Sequence, residues 1–181
     1  MITAGVERPM TAHSALADES AGLWYVLHTK ARQEKILAGA LGAMNVACFL
    51  PLIRQVRYYG QFKANVELPL FPSYVFIRGQ MDDVYRADRT KRVAKIIPVP
   101  DQLRLDRELR NVHLALERNV QFDPFPHLVK GTFVEVRSGP LRGLQGFVEE
   151  RVRPNRLILQ VEMLGRAVSL EVDASLLDRV D

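Results

Sequence analysis

Two prolines, Pro124 and Pro126, divide the sequence into two parts with different hydrophobic patterns. Proline fixes φ and lacks a backbone N–H, so two of them this close end a helix or a central strand. Before them the chain mixes helical and strand-like periods, and after them apolar and polar residues alternate. The sequence therefore predicts two domains, at residues 24–120 and 129–181, joined by a linker at 121–128.

The first part combines apolar strands with amphipathic helices. Strands are expected at 23–29, 46–53, 73–78 and 92–99, with a hairpin of strands 54–59 and 63–68 around Gly60-Gln61-Phe62. Helices are expected at 30–44 (N-capped by Thr29), 82–89 and 106–120. Apolar residues recur every three or four positions in the longer helices. This mixture indicates an α+β fold in which helices cover one side of an antiparallel sheet.

The second part reads as all-β. Apolar residues at every second position mark its strands, as in Val134/Val136, Leu157/Leu159/Val161 and Val168/Leu170/Val172. Strict alternation is the period of a strand with one buried face. Four or five such short strands separated by glycine turns predict a small β-barrel.

The sequence also limits the cellular compartment in which we expect the protein. Residues 1–23 are expected to be a flexible tail, since Glu7, Asp18 and Glu19 interrupt any apolar signal segment. No run of about 18 apolar residues indicates a membrane helix. Cys48 is the only cysteine, which excludes an internal disulfide and favours a reducing compartment. We expect a cytoplasmic protein that does not engage a membrane.

The sequence offers no catalytic constellation. His28, His113 and His127 lack metal-ligand spacing. Glu149 and Glu150 are adjacent on an expected strand, so they point to opposite faces and cannot work as a paired acid and base. We therefore expect a binding protein that is not an enzyme and needs no cofactor or metal.

The positive charge lies in the first part. Residues 1–118 hold 17 Lys/Arg against 12 Asp/Glu, a net charge of +5, whereas residues 119–181 hold 8 against 9, a net charge of −1. Excess positive charge favours an anionic neighbour such as nucleic acid. An ordinary solvated basic surface is the alternative.

Three motifs carry a resemblance to a known family. Residues 131–148, GTFVEVRSGPLRGLQGFV, resemble the KOW motif of NusG-type transcription factors and of several ribosomal proteins. WYVL at 24–27 and PLFPSYVFI at 69–77 resemble the N-terminal domain of the NusG/RfaH family, closer to its specialised paralogue RfaH. LGRA at 164–167 resembles the end of a NusG KOW domain. The matches occur in the family's order across residues 24–181.

The resemblance implies a function and a fold. It implies a monomeric bacterial elongation or antitermination factor, specialised relative to NusG, that binds RNA polymerase through the first domain. The second domain would be a KOW-type, SH3-like barrel that recruits ribosomal protein S10 or the termination factor Rho. A KOW-containing ribosome- or RNA-binding protein is the alternative, although such a protein has no need of the first domain.

The resemblance also implies site residues. Polymerase contacts are expected from Phe71, Pro72, Tyr74 and Phe76, although an aromatic strand is more usually core. Contacts to upstream or non-template DNA are expected from Lys30, Arg32, Lys35, Arg54, Arg57 and Lys63. The KOW partner site is expected at Leu164, Gly165 and Arg166. Strand parity groups Leu164 with the polar Gln160 and Glu162, which predicts an outward-facing leucine.

Overall fold

The computed structural model describes residues 14–17, 22–118, 123–125, 131–148, 156–172 and 174–180. By their internal contacts the residues group into two units, Met1–Pro100 and Asp101–Asp181. This division lies before the prolines that the sequence analysis uses as a boundary. It assigns the helix at 102–117 to the same unit as the strands that follow it.

The first unit is built on an antiparallel sheet and a separate hairpin. Its strands are β1 (Leu23–Thr29), β2 (Cys48–Phe49), β3 (Leu52–Tyr59), β4 (Phe62–Pro69), β5 (Tyr74–Gly79) and β6 (Val93–Pro98). The sheet has the order β2-β5-β1-β6, and β3 pairs with β4 alone. The single strand expected at 46–53 is wrong, because the chain leaves the sheet after Phe49 and enters the hairpin at Leu52.

Helices cover one face of this sheet, as the sequence predicts. The helices of the unit are α1 (Ser14–Ala17), α2 (Glu34–Ala43) and α3 (Met81–Arg89). Leu37 and Leu41 of α2 and Val84 of α3 pack with Leu27 and Ile77 of the sheet in one buried cluster. Burial of these aliphatic side chains is the main stabilising contribution on this face.

The opposite face of the sheet holds aromatic residues. Register pairs Val26 with Phe76 and Phe76 with Phe49, so these side chains share one face. All three are fully buried. The Phe76 ring lies 6.2 Å from that of Phe49 and meets Phe71 edge-on at 6.3 Å between centroids. The aromatic strand is therefore core along part of its length.

Two boundaries of the first unit differ from those that the sequence predicts. Helix α2 begins at Glu34 because Arg32, with φ 60°, is in the left-handed region, and Thr29 ends β1 instead of capping the helix. The expectation of a flexible tail over residues 1–23 is wrong for its described part. Ala15 and Leu16 of α1 are buried, and this helical turn packs against β2 and β5. The remaining residues before position 22 lie outside the described residues.

In its described residues the second unit has one α-helix, six short strands and two 3₁₀ turns, Glu162–Leu164 and Ala174–Leu176. The helix and strands are α4 (Gln102–Glu117), β7 (Asp123–Phe125), β8 (Thr132–Val136), β9 (Gln145–Val148), β10 (Arg156–Val161), β11 (Arg166–Glu171) and β12 (Leu177–Arg179). The strands form an antiparallel sheet with the order β12-β8-β9-β10-β11-β7. The all-β pattern after the prolines is confirmed, while closure into a barrel stays a prediction.

Two further boundaries are corrected in this unit. Residues 123–125, expected in a linker, pair with Ala167–Ser169 as the edge strand β7, a position in which Pro124 is tolerated. The rest of that expected linker lies outside the described residues. Helix α4 begins earlier than predicted, because the Asp101 side chain accepts a hydrogen bond from the Arg104 N–H (2.9 Å) and caps it. Among the described residues no helix is long and apolar enough to cross a membrane.

Candidate nucleic-acid and protein interface

The four aromatic-strand residues expected to bind polymerase are not equally accessible. Phe71 is 2 % exposed and Phe76 is 0 % exposed, whereas Tyr74 is half-buried and Pro72 is exposed. The expectation that all four present a contact surface is therefore wrong for Phe71 and Phe76. Their rings fill the sheet face beside Phe49 instead, where removal of their apolar area from water stabilises the fold.

Pro72 and Tyr74 lie at one end of the sheet, where β5 begins, next to His28 near the end of β1. The His28 and Tyr74 side chains are cross-strand partners, with ring centroids 5.2 Å apart and planes tilted by 50°. We call Pro72, Tyr74 and His28 the aromatic edge. Sequence reasoning did not single out His28 for this edge, although its position opposite a strand residue follows from the register of β1 and β5.

A buried carboxylate fixes the turn that presents the aromatic edge. Ser73 has φ 69°, a left-handed conformation that costs free energy for a residue with a side chain. Its N–H donates to Glu34 Oε1 (2.7 Å), and its carbonyl accepts from the Thr29 N–H (2.8 Å). Glu34 is 7 % exposed and is the first residue of α2, where the helix dipole favours a negative charge. Glu34 is thus a positioning residue that the sequence analysis missed.

Basic residues gather on the loops at the same end of the sheet. Lys30, Arg32 and Lys35 are all exposed, as the sequence predicts for residues that could contact DNA. The Lys30 N–H donates to the Arg92 carbonyl (2.9 Å), which joins the β1–α2 loop to the α3–β6 loop. Exposed Lys91, also left-handed at φ 60°, belongs to that second loop. Lys91 has no local signal in the sequence, because only the folded chain brings the two loops together.

The remaining expected nucleic-acid residues lie on the β3–β4 hairpin. Arg54 forms an ion pair with Glu67 across the hairpin, with Nε and Oε1 3.3 Å apart. Arg57 and Lys63 are exposed nearer to the turn. All three cations are therefore accessible, but Arg54 is partly neutralised by its partner.

The expected partner site in the second unit has a different geometry from the one that strand parity predicts. Leu157 to Val161 are buried on both faces of β10, and residues Glu162–Leu164 form a 3₁₀ turn instead of continuing the strand. Leu164 is half-buried, while Gly165, in the left-handed region at φ 61°, and Arg166 are exposed. Strand parity therefore does not apply to Leu164, because β10 ends at Val161, and Ile158 and Gln160 on the face expected to meet solvent are buried.

Polar contacts hold α4 against these strands. Asn111 Oδ1 accepts from the Gln145 N–H (3.1 Å), and Glu108 Oε2 accepts from the Glu162 N–H (3.3 Å) at the start of the 3₁₀ turn. Arg104 forms ion pairs with both Glu108 and Glu162. Burial raises the pKa of Glu108 to about 7, although the Arg104 guanidinium opposes this shift.

The described part of the chain contains no group of three His, Cys, Asp or Glu side chains placed to hold a metal ion. Cys48 is fully buried, and desolvation raises the pKa of its thiol to about 12. A thiol with that pKa is a poor nucleophile, since the thiolate is the reactive form.

One of three comparisons with known proteins, a family profile, matches the part of the chain that holds the first motifs. A search of the curated proteins gives no match. Among solved structures, a chain of the MjSpt4:Spt5 complex in conformation B is similar over 88% of this chain and 97% of that chain, at 17% identity and a TM-score of 0.31. The family profile described as transcription termination factor nusG matches residues 22–111. This stretch of the chain is therefore similar to the NusG family.

Proposed function

We propose that the protein is a cytoplasmic, non-enzymatic transcription elongation factor that binds RNA polymerase and suppresses pausing or termination. The match of residues 22–111 to the NusG family carries this proposal. The matched region holds both the aromatic edge and the exposed basic loops, two surfaces that a factor seated on a transcribing polymerase requires. Affinity purification of the full chain from its cells should recover polymerase subunits. Recovery of ribosomal subunits instead would favour the KOW-containing ribosome- or RNA-binding alternative.

The polymerase contact is assigned to the aromatic edge. Rigid aromatic side chains bury a large area at a low entropic cost, which is why they dominate interface energetics. Tyr74 has a partly accessible ring, and the adjacent Pro72 is exposed. Phe71 and Phe76 act from beneath, since their buried rings support the strand and turn that present these two side chains.

Replacing Tyr74 with alanine should weaken polymerase binding by about 1–2 kcal/mol, as expected for one aromatic contact at an interface. The affinity of the full chain for its own RNA polymerase is the quantity to measure. Tyr85→Ala is the matched control, because Tyr85 is a 57 % exposed tyrosine on α3 that is not part of the aromatic edge. Equal affinities for the two folded variants would contradict the assignment.

DNA contacts are assigned to Lys30, Arg32 and Lys35, with Arg54, Arg57 and Lys63 as a second group on the hairpin. The first group lies on exposed loop and helix-start positions, where long cationic side chains can reach phosphates. Phosphate contacts fix the position of a protein on nucleic acid without reading its sequence. We therefore propose that both groups orient the protein on upstream or non-template DNA.

Substituting Lys30, Arg32 and Lys35 together with glutamine should flatten the salt dependence of binding to an elongation complex. Each lost phosphate contact should reduce the slope of log K against log salt by about 0.7–0.9, because fewer counterions are released. Binding is measured over a series of KCl concentrations. Arg142→Gln, which removes one positive charge at an exposed position in the second unit, is the control and should change the slope little. A slope unchanged by the triple substitution would make these cations ordinary solvated charge.

Residues 129–181 are proposed to be a KOW-type, SH3-like barrel that recruits ribosomal protein S10 or Rho. The support comes from the turn at Leu164–Arg166. Arg166 is an exposed cation, and Leu164 is half-buried. A partner bound to this turn would lie beside Glu162. The Glu162 N–H donates a hydrogen bond to Glu108 of α4, so α4 would border the partner site.

A further inference from the structure

The β3–β4 hairpin carries an unusual amount of exposed apolar surface. Of nine large hydrophobic side chains that the described residues expose, four lie on it, namely Val56, Tyr58, Tyr59 and Phe62. Phe62 is 80 % exposed and Tyr58 is 71 % exposed. A two-stranded hairpin buries little by itself, and clustered exposed aromatics mark a contact site. This concentration of exposed apolar side chains on one hairpin therefore points to a binding partner.

The strand register places these aromatics around the tip. Tyr59 pairs with Phe62 across the two-residue turn Gly60–Gln61, and Tyr58 pairs with Lys63. Paired residues share a face of the hairpin, so Tyr59 and Phe62 lie on one face and Tyr58 lies on the other. Arg57, two positions from Tyr59, shares the face of Tyr59 and Phe62. Each face of the tip thus offers an aromatic surface next to a cation.

The net charge of the hairpin favours nucleic acid over an apolar protein as its partner. The strands and turn of the hairpin contain three cations and one acid, Glu67, for a net charge of +2. Glu67 is paired with Arg54, at the half of the hairpin away from the tip. No ion pair engages Arg57 or Lys63 within the described residues, so their charges remain available beside the rings. An anionic ligand with flat apolar groups complements this arrangement.

We propose that the hairpin tip binds single-stranded nucleic acid by stacking bases on Tyr58, Tyr59 and Phe62, while Arg57 and Lys63 contact the phosphates. Bases in a duplex already stack on each other, whereas unpaired bases have free faces for aromatic side chains. This inference rests on the proposed function and deepens it, since it names the form of nucleic acid that the hairpin takes. It also assigns the contact to aromatic residues, beyond the cations of the hairpin.

The test measures binding of the full chain, without polymerase, to labelled 15-nucleotide oligo(dT) and oligo(U) and to a 15-base-pair duplex by fluorescence anisotropy. The wild-type chain should bind the single strands more tightly than the duplex. Comparison of oligo(dT) with oligo(U) shows whether the strand is DNA or RNA. The triple variant Y58A/Y59A/F62A should lose about tenfold or more in single-strand affinity, as expected when at least one stacked base is lost. Its duplex affinity should stay unchanged.

Matched variants separate stacking from charge and from misfolding. Tyr85→Ala removes an exposed tyrosine elsewhere and should bind as the wild type does. The pair R57Q/K63Q should reduce the salt dependence of single-strand binding, which the aromatic variant should leave unchanged. Because Phe62 is the most exposed of the three rings, Phe62→Ser alone gives a folded variant should the triple variant melt early.

Three results would overturn the inference. The first is equal single-strand affinity of the wild type and the folded aromatic variants. The second is tighter binding of the duplex than of the single strands. The third is loss of polymerase binding in the aromatic variant while its oligonucleotide affinity is unchanged. The last result would make the tip a protein-docking surface. Failure of the proposed function is distinguishable, because a chain that does not bind polymerase can still show aromatic-dependent binding of single strands.

Discussion

Replacing Phe76 with alanine should lower the free energy of unfolding by about 3–5 kcal/mol, the usual range for loss of a buried phenylalanine. The side chain is 0 % exposed, and its ring contacts those of Phe49 and Phe71. A domain is stable by only about 5–15 kcal/mol, so the variant should unfold at a much lower urea concentration. Fluorescence of Trp24, the single tryptophan and 1 % exposed in the neighbouring strand, follows the transition.

Tyr74→Ala serves as the comparison on the same strand. Tyr74 lies two residues before Phe76 on the same sheet face, but it is only half-buried. Tyr74→Ala should therefore lower the free energy of unfolding by less than Phe76→Ala does. It should weaken polymerase binding even though the variant remains folded. A Phe76→Ala variant as stable as the wild type would return Phe76 to the accessible surface that the sequence analysis expects.

Local sequence patterns predict much of this fold because they report local geometry. The strand expected at 73–78, the helix expected at 82–89 and the short strands after the prolines all lie close to their expected positions. The start of α2 was not predictable in this way. It depends on Arg32 in a left-handed conformation and on Glu34 binding the turn at Ser73, which is distant in sequence.

The candidate sites show the same division between local and tertiary information. Strand alternation correctly groups Tyr74 with Phe76, but it cannot tell which of the two the fold covers. Alternation also fails at β10, where Ile158 and Gln160 are buried because α4 lies against the strand. The hairpin is predictable as a structure, yet the exposure of its aromatic tip follows only from the lack of sheet or helix packing there.

The other large effect is expected at Gly146, in the second unit. An alanine Cβ there would lie 2.7 Å from the Ile158 carbonyl oxygen and 3.1 Å from a Leu159 methyl carbon. The contact with Ile158 is to backbone on the adjacent strand, since β9 pairs with β10 through Phe147 and Ile158. One strand must therefore move, and Gly146→Ala should destabilise the unit by about 1–3 kcal/mol, as overpacking does.

Amide hydrogen exchange measured strand by strand is the appropriate readout, because the tryptophan fluorescence reports only the first unit. Gly146→Ala should speed exchange in β9 and β10 while leaving β1 and β5 as protected as in the wild type. Gly165→Asn is the control in the same unit, since a Cβ at Gly165 has open space and asparagine tolerates the left-handed conformation found there. Unchanged protection of β9 and β10 in Gly146→Ala would mean that the two strands can separate enough to admit a methyl group. The glycine would then be dispensable, and the close approach of these strands would not be what holds the sheet of the second unit together.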